Sequence, residues 1–324
     1  MQCAAAASPS RHRVRIAAFA TAFVVAVLPF IEAAPASAAT LDRIKETSRL
    51  TLGYRTDARP FSYRDESGAA AGYSVTLCQR VVEQVRNELG LSTLAVEWMS
   101  VTIEDRFGAL QQGKIDLLCG ADSVTLERRK EIAFSIPIFP SGIGALLRAD
   151  APAELRQVLA QGQAPSHPVW RASPARTILE KKTFSVVAHT TSENWLVGRL
   201  NAFQIDATVA PVASYEAGIQ RLLDREADVL FGDRPILLDA ARRSSSAQNL
   251  AVINRLFTYE PLALALTRGD DDFRLVADAT LSRLFKSAEI RDLYAKWFGK
   301  PINWSSPWMK PCGPLARRTT ASKA

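Results

Sequence analysis

From residue 50 onward the chain alternates between two hydrophobic periods. Residues 50–54 form an apolar run of strand length, and residues 72–89 place Val75, Cys78, Val82, Val85 and Leu89 on one face at helical spacing. Residues 94–98 alternate apolar and polar positions as a strand does. Helical spacing returns over 103–112, closed by Gly113, and residues 115–120 are again apolar. This βαβαβ order predicts an α/β sheet. Pro137, Pro140, Gly142 and Gly144 then punctuate the chain, and a second series of the same kind follows. It has strands over 184–188, 208–212 and 228–232 and helices over 192–201 and 215–225; a strand at 262–267 and two helices within 271–298 complete the pattern. Residues 151–182, rich in Pro, Ala and Arg, read as a surface helix and loop.

The two series echo each other. "LQQGKIDLLCGA" (110–121) aligns without a gap on "LLDREADVLFGD" (222–233): the end of a helix, a turn, an Asp, an apolar strand and a glycine. Open α/β sheets bind ligands outside the carboxyl ends of their strands. Two such ends in successive units predict a cleft between two similar lobes.

The length of 324 residues, 48% of them hydrophobic, suffices for two domains. Arg11, Arg13 and Arg15 precede the apolar stretch 16–31, and Ala36, Ser37 and Ala38 follow it, so residues 1–38 read as a cleavable secretory signal. That stretch falls short of the roughly 20 residues of a membrane-spanning helix and contains Pro29. The mature chain is therefore expected to be soluble and exported. Of the +7 formal charge, the signal carries three arginines and Glu32, which leaves +5. Basic and acidic residues alternate as on solvated helix faces, without the basic stripe of a nucleic-acid binder. Cys78, Cys119 and Cys312 remain after cleavage. Export allows one pair to oxidise and leaves an odd thiol; Cys78 with Cys119 is one possible pairing. The tail from 301, with Pro307, Pro311 and Pro314, is expected to be extended.

Three arginines fall where a cleft would lie. Arg55 follows the first strand, Arg106 lies in the first turn of a helix, and Arg128 lies in the first turn after the strand containing Cys119. Thr125 is placed to cap a helix there, leaving backbone N–H groups beside Arg128. A guanidinium fork matches a carboxylate, so this combination predicts a carboxylate site. Asp233, at the end of the corresponding second-series strand, is placed to accept from an ammonium or to cap the helix that begins at Arg234 and Pro235. In "HTTSE" (189–193) the hydroxyls of Thr190 and Thr191 stand at a strand-to-helix turn, as ligand contacts or as caps. The sequence has no G-x-S-x-G, no phosphate-binding glycine loop and no His/Cys metal spacing, and its only histidines are His12, His167 and His189. No cofactor, metal or catalytic residue is expected, and a binding protein ranks above an enzyme.

The stretches "RPFSYRDESGAAAGYSVTLC" (59–78), "LQQGKIDLLCG", "TLERRKEIAFS", "TTSE", "LFTYEPLALALTRGDDDF" and "IRDLYAKWFGKP" together resemble the periplasmic amino-acid-binding proteins of ABC uptake systems, solute-binding family 3, over about residues 41–301. "GYRTDARPFSY", Arg106 and "CGADSVTLERR" are most similar to the glutamate/aspartate-binding branch. The resemblance implies an α/β, type II two-lobe periplasmic-binding-protein fold, each lobe a sheet flanked by helices, with two hinge crossings near Ser141 and near 259–261. Lobe 1 would comprise 39–140 and 262–300, lobe 2 residues 141–261, and 301–324 a C-terminal tail. It further implies that Arg55 and Arg106 hold a side-chain carboxylate and Arg128, helped by Ser123, the α-carboxylate. Thr190 and Asp233 would contribute from the second lobe, with Asp233 facing the α-ammonium. A monomeric periplasmic receptor would deliver its ligand, preferably acidic, to an ABC permease in the inner membrane. Three residues depart from that branch: Ala121 stands where serine is usual, Asp122 puts an acid next to the arginines, and Tyr215 stands where histidine is expected. Two rivals share the fold: a cyclohexadienyl (arogenate/prephenate) dehydratase using Glu193 or Glu260 as its acid, and a protein that presents its ligand to a membrane sensor.

Overall fold

The computed structural model describes residues 40–161 and 174–299. The expected signal, the tail from 301, Cys312 and part of the 151–182 segment lie outside the described residues. The first half runs α1 (Thr40–Thr47), β1 (Arg49–Arg55), a small antiparallel sheet β2 (Asp57–Ala58), β3 (Ser62–Arg64) and β4 (Ala70–Ala71), then α2 (Tyr73–Glu88), β5 (Ala95–Val101), α3 (Arg106–Gln111) and β6 (Leu117–Ser123). Strands β7 (Ile132–Phe134) and β8 (Phe139–Ser141) follow. The second half runs β9 (Ile143–Arg148), α4 (Ala153–Gln161), α5 (Pro174–Leu179), β10 (Thr183–Val187), α6 (Thr191–Phe203), β11 (Thr208–Val212), α7 (Tyr215–Leu223), β12 (Val229–Asp233), α8 (Arg234–Arg243) and β13 (Leu250–Val252). The chain ends with β14 (Glu260–Thr267), α9 (Asp271–Lys286) and α10 (Glu289–Phe298).

Besides the small sheet, two larger ones result, in the orders β5-β1-β6-β14-β7 and β11-β10-β12-β9-β13, with β8 also pairing β14. In each, three parallel strands are followed by an antiparallel one: β14 beside β6, and β9 beside β12. The chain order explains this arrangement. β9 is reached directly from β8 through Gly142, and its first residue Ile143 pairs with Asp233, the last residue of β12. β14 returns from the second sheet, and its Leu262 pairs with Ser123, the last residue of β6. Each sheet thus takes its antiparallel strand from a crossing that enters at the carboxyl ends of its parallel strands.

The sequence echo has a structural counterpart. Asp116 and Asp228, at equivalent positions of the repeat, each accept from the backbone N–H of the neighbouring first strand, Thr51 at 2.8 Å and Thr183 at 2.9 Å. Asp116 also pairs with Arg43, and Asp228 with Lys182 at 3.3 Å. Each Asp fastens the third strand to the first where the ladder begins, so β6 and β12 reach their carboxyl ends in the same relation to their sheets. Gly113 and Arg225, also equivalent, both close their helices in the left-handed region, with φ of 65° and 63°. Helix α2 packs on the first sheet through Val75, Cys78, Val81 and Val85, and a Cys78–Cys119 disulfide ties it to β6.

Several elements differ from the sequence expectation. β6 runs three residues past Gly120, so Ala121, Asp122 and Ser123 are strand residues, buried on pairing with β14. The helix expected at Thr125 is not an α-helix. The Thr125 hydroxyl accepts from the Arg128 N–H at 3.1 Å, but only a three-residue 3₁₀ turn, Arg128–Lys130, forms before Ile132 is drawn into the sheet. The carboxylate-site expectation there loses its helix dipole and keeps its arginine. α1, β7, β8, β9, β13 and the three-stranded hairpin were not expected. β9 ("IGALLR") is a continuous apolar run beside a Pro/Gly cluster, which periodicity alone does not separate from a turn or a buried helix.

Candidate functional site

At and beyond the ends of β1, β5 and β6 the chain places its arginines. Arg55 is the last residue of β1, Arg106 the first of α3 and Arg128 the first of the 3₁₀ turn. Arg55 and Arg106 are buried, with 5% and 4% of their surface exposed, and Arg128 is half-buried. Burying a charge is costly unless it is paired. Arg55 donates from Nε and Nη2 to the two oxygens of Asp57, at 2.9 and 2.8 Å. Burial alone would lower the Arg55 pKa, but the charge and hydrogen bonds of Asp57 outweigh it and the net shift is upward. Arg106 donates from Nε to Asp122 Oδ1 at 2.7 Å. Asp122 is 1% exposed, and its second oxygen has no hydrogen-bond partner among the described residues.

Arg128 is different. Its guanidinium donates to the Ser123 carbonyl at 2.8 Å, and no ion pair engages it among the described residues. Burial lowers its pKa and Arg106 pushes the same way, while Asp122, Asp233 and Glu260 oppose the shift. It nevertheless stays charged at any ordinary pH. The ring of Phe107 lies 4.0 Å from the Arg106 guanidinium carbon and 5.1 Å from that of Arg128. Of the three arginines, Arg128 is the one with a charge left to offer.

The second sheet contributes anions and hydroxyls. Asp233, 8% exposed, accepts from the Ser141 hydroxyl at 3.1 Å. It holds the N-cap position of α8, yet its side chain makes no capping bond. Burial, and then repulsion from Glu260, push its pKa up to about 7, against the pull of Ser141, Arg55 and Arg128. Its backbone N–H donates to the Tyr215 hydroxyl at 3.4 Å, and a side chain at Gly232 would collide with that ring. Thr191 donates to Glu260 at 2.6 Å and lies 3.5 Å from the Ser123 hydroxyl. Glu260 also accepts from Thr258 at 2.9 Å. Thr191, Ser123 and Glu260 therefore join the start of α6 in the second half to β6 and β14 of the first sheet.

Of the sequence candidates, Arg55, Arg106, Ser123, Arg128 and Asp233 come together at the facing strand ends. Thr190 is spent locally: its hydroxyl donates to the Val187 carbonyl at 2.7 Å and accepts from the Glu193 N–H at 3.2 Å, capping α6. Glu193 reaches back to the His189 N–H at 2.8 Å and completes the cap. Thr191, its neighbour, is the threonine that faces the first sheet. Asp57, Ser141 and Thr191's partner Glu260 were not assigned these roles from sequence. Asp57 carried a readable signal, since two residues along an extended chain return to the same face as Arg55. Among the described residues no group of three or more His, Cys, Asp or Glu is placed to hold a metal ion.

Known proteins resemble this chain along most of its length. A protein of Pseudomonas aeruginosa named L-glutamate/L-aspartate-binding protein is 28% identical over 291 residues, covering 90% of each chain. The glutamate/aspartate import solute-binding protein of Escherichia coli K12 is 26% identical over 272 residues, 84% of this chain and 83% of its own. A crystal structure of an ancestral amino acid-binding protein, described as a precursor of cyclohexadienyl dehydratase, superposes with a TM-score of 0.64 at 24% identity. It covers 81% of this chain and all of that one, and shows the shared fold. The sequence profile of the bacterial extracellular solute-binding proteins, family 3, matches residues 50–300, and the chain belongs to that family.

Proposed function

We propose that this chain is a periplasmic receptor that closes on an α-amino acid and delivers it to an ABC permease, acting as a monomer and without catalysis. Residues 1–38 direct export, and residues 39–140 with 262–300 form one lobe and 141–261 the other. One observation carries the reading: Arg128, in the 3₁₀ turn beyond β6, is a cation with no ion pair among the described residues, Asp233, at the end of β12, is an acid with no capping duty, and contacts of Thr191 with Ser123 and Glu260 link the two sheets. An α-amino acid brings a carboxylate to the first and an ammonium to the second. Ser123 assists at the carboxylate and Glu260 at the ammonium, and Thr190 holds the turn from which Thr191 reaches across. Only closed lobes satisfy both ends of the ligand, and that difference drives closure.

The ligand's side chain then points to Arg55 and Arg106. The names of the relatives favour an acidic amino acid, and two arginines suit it. Asp57 and Asp122 compete with such a ligand, because they already occupy those guanidinium groups. Calorimetric titration of the ligand-stripped protein with a panel of α-amino acids tests the reading. Micromolar or tighter binding of one of them supports it, and heat from none of them refutes it. Of the two acids considered for the dehydratase alternative, Glu193 is engaged in the cap of α6 and Glu260 is bonded to Thr191; release of carbon dioxide from arogenate or prephenate would move the protein to that class.

A further inference from the structure

On the reading that the cleft holds an amino acid, we propose that its side-chain subsite selects an uncharged primary amide over the carboxylate of the same shape, and that Asp122 makes the choice. Glutamine and glutamate differ only in an NH2 group that donates against an oxygen that accepts. What faces that group therefore decides between them.

Three features of the site favour the amide. Arg55 has committed Nε and Nη2 to Asp57, so its charge is balanced before any ligand arrives. Arg106 has committed only Nε, to Asp122 Oδ1, and its remaining N–H groups are left to bind an acceptor. Asp122 Oδ2 is buried and has no donor among the described residues. That oxygen occupies the space left open by the missing side chain of Gly120, where a Cβ would collide with it. A buried carboxylate oxygen without a donor is costly, and a ligand that brings one is favoured by that cost. A carboxamide answers both demands, its oxygen accepting from Arg106 and its NH2 donating to Asp122. A ligand carboxylate would satisfy Arg106 and set a second anion against Asp122. Asp233 and Glu260 stand in the same electrostatic neighbourhood, as their influence on Arg128 shows, so the site gains little by adding another negative charge. Sites built to bond a donor reject the analogue that lacks it by large factors.

The test uses the full chain exported to the periplasm, stripped of ligand by reversible unfolding, and titrated calorimetrically with L-glutamine, L-asparagine, L-glutamate and L-aspartate. The wild type is expected to bind one of the two amides at least tenfold more tightly than the matching acid. Asp122→Asn and Asp122→Ser, checked for folding by circular dichroism, are expected to move the amide-to-acid ratio at least tenfold toward the acid. A wild-type preference for glutamate or aspartate overturns the inference and leaves the receptor reading standing, as does a ratio that neither variant changes. Tight binding of a different α-amino acid alone has the same meaning. If no α-amino acid binds, the receptor reading itself fails. Should both variants misfold, the wild-type ratio decides.

Discussion

Arg128→Ala separates ligand binding from stability more cleanly than any other change in the site. The side chain is half-buried, donates one hydrogen bond to the Ser123 carbonyl and lies 5.1 Å from the Phe107 ring, so its removal from the free protein costs about 1 kcal/mol. For a bound ligand the loss is larger. The α-carboxylate would be desolvated by closure with no cation to receive it, a penalty of about 2–5 kcal/mol, or roughly thirty- to several-thousand-fold in Kd. Arg106→Ala gives the contrast, because it leaves Asp122 as a buried unpaired charge and destabilises the fold itself by about 3–5 kcal/mol. Titration calorimetry with the preferred amino acid, paired with thermal melting, distinguishes the two. Arg128→Ala should melt close to the wild type and bind far more weakly, whereas Arg106→Ala should melt well below it. An Arg128→Ala protein with a Kd within threefold of the wild type would refute the assignment of the α-carboxylate to Arg128.

Further consequences can be measured on the ligand-free protein. Asp233, with its pKa raised to about 7, keeps in the folded state a proton that the unfolded chain releases near pH 4, so its contribution makes stability fall as pH rises from about 4 to about 7. Urea midpoints at pH 5 and pH 7.5 should therefore differ less in Asp233→Asn than in the wild type; equal differences would contradict the burial argument. The Cys78–Cys119 bridge spans 41 residues of sequence, and chain entropy alone gives it about 4 kcal/mol. Double replacement by alanine should lower the urea midpoint accordingly, and an unchanged midpoint would show that the bridge does not form in solution. Gly113 has φ of 65°, and a methyl group there would meet only open space, so Gly113→Ala isolates backbone strain. It should cost about 1 kcal/mol, read from the melting curve, and no cost would mean that the turn relaxes freely.

Much of the architecture was legible because the signals that set it are local. A strand or helix shows its period within a dozen residues, and the repeat at 110–121 and 222–233 by itself exposes two equivalent strand ends. Strands β10, β11 and β12 and helices α2, α6 and α7 lie within a few residues of their expected bounds. Of the strands supplied by the two crossings, β14 was legible as an apolar run at 262–267 and β9 was not. Their direction and place depend on the sheet they join, and β9 next to Gly142 carries no period that reveals its partner.

The site divides along the same line. The sequence by itself determined that arginines stand at the strand ends of the first half and an acid at the matching end of the second, because strand length and residue identity fix what emerges there. Tertiary structure alone decided what each charge meets. Arg106 takes Asp122 from 16 residues away, Asp233 takes Ser141 from 92, and Thr191 rather than Thr190 meets Glu260 from 69. A charge leaving water must find a partner, and the partner it finds is the one that folding brings within hydrogen-bond distance, whatever its separation along the chain.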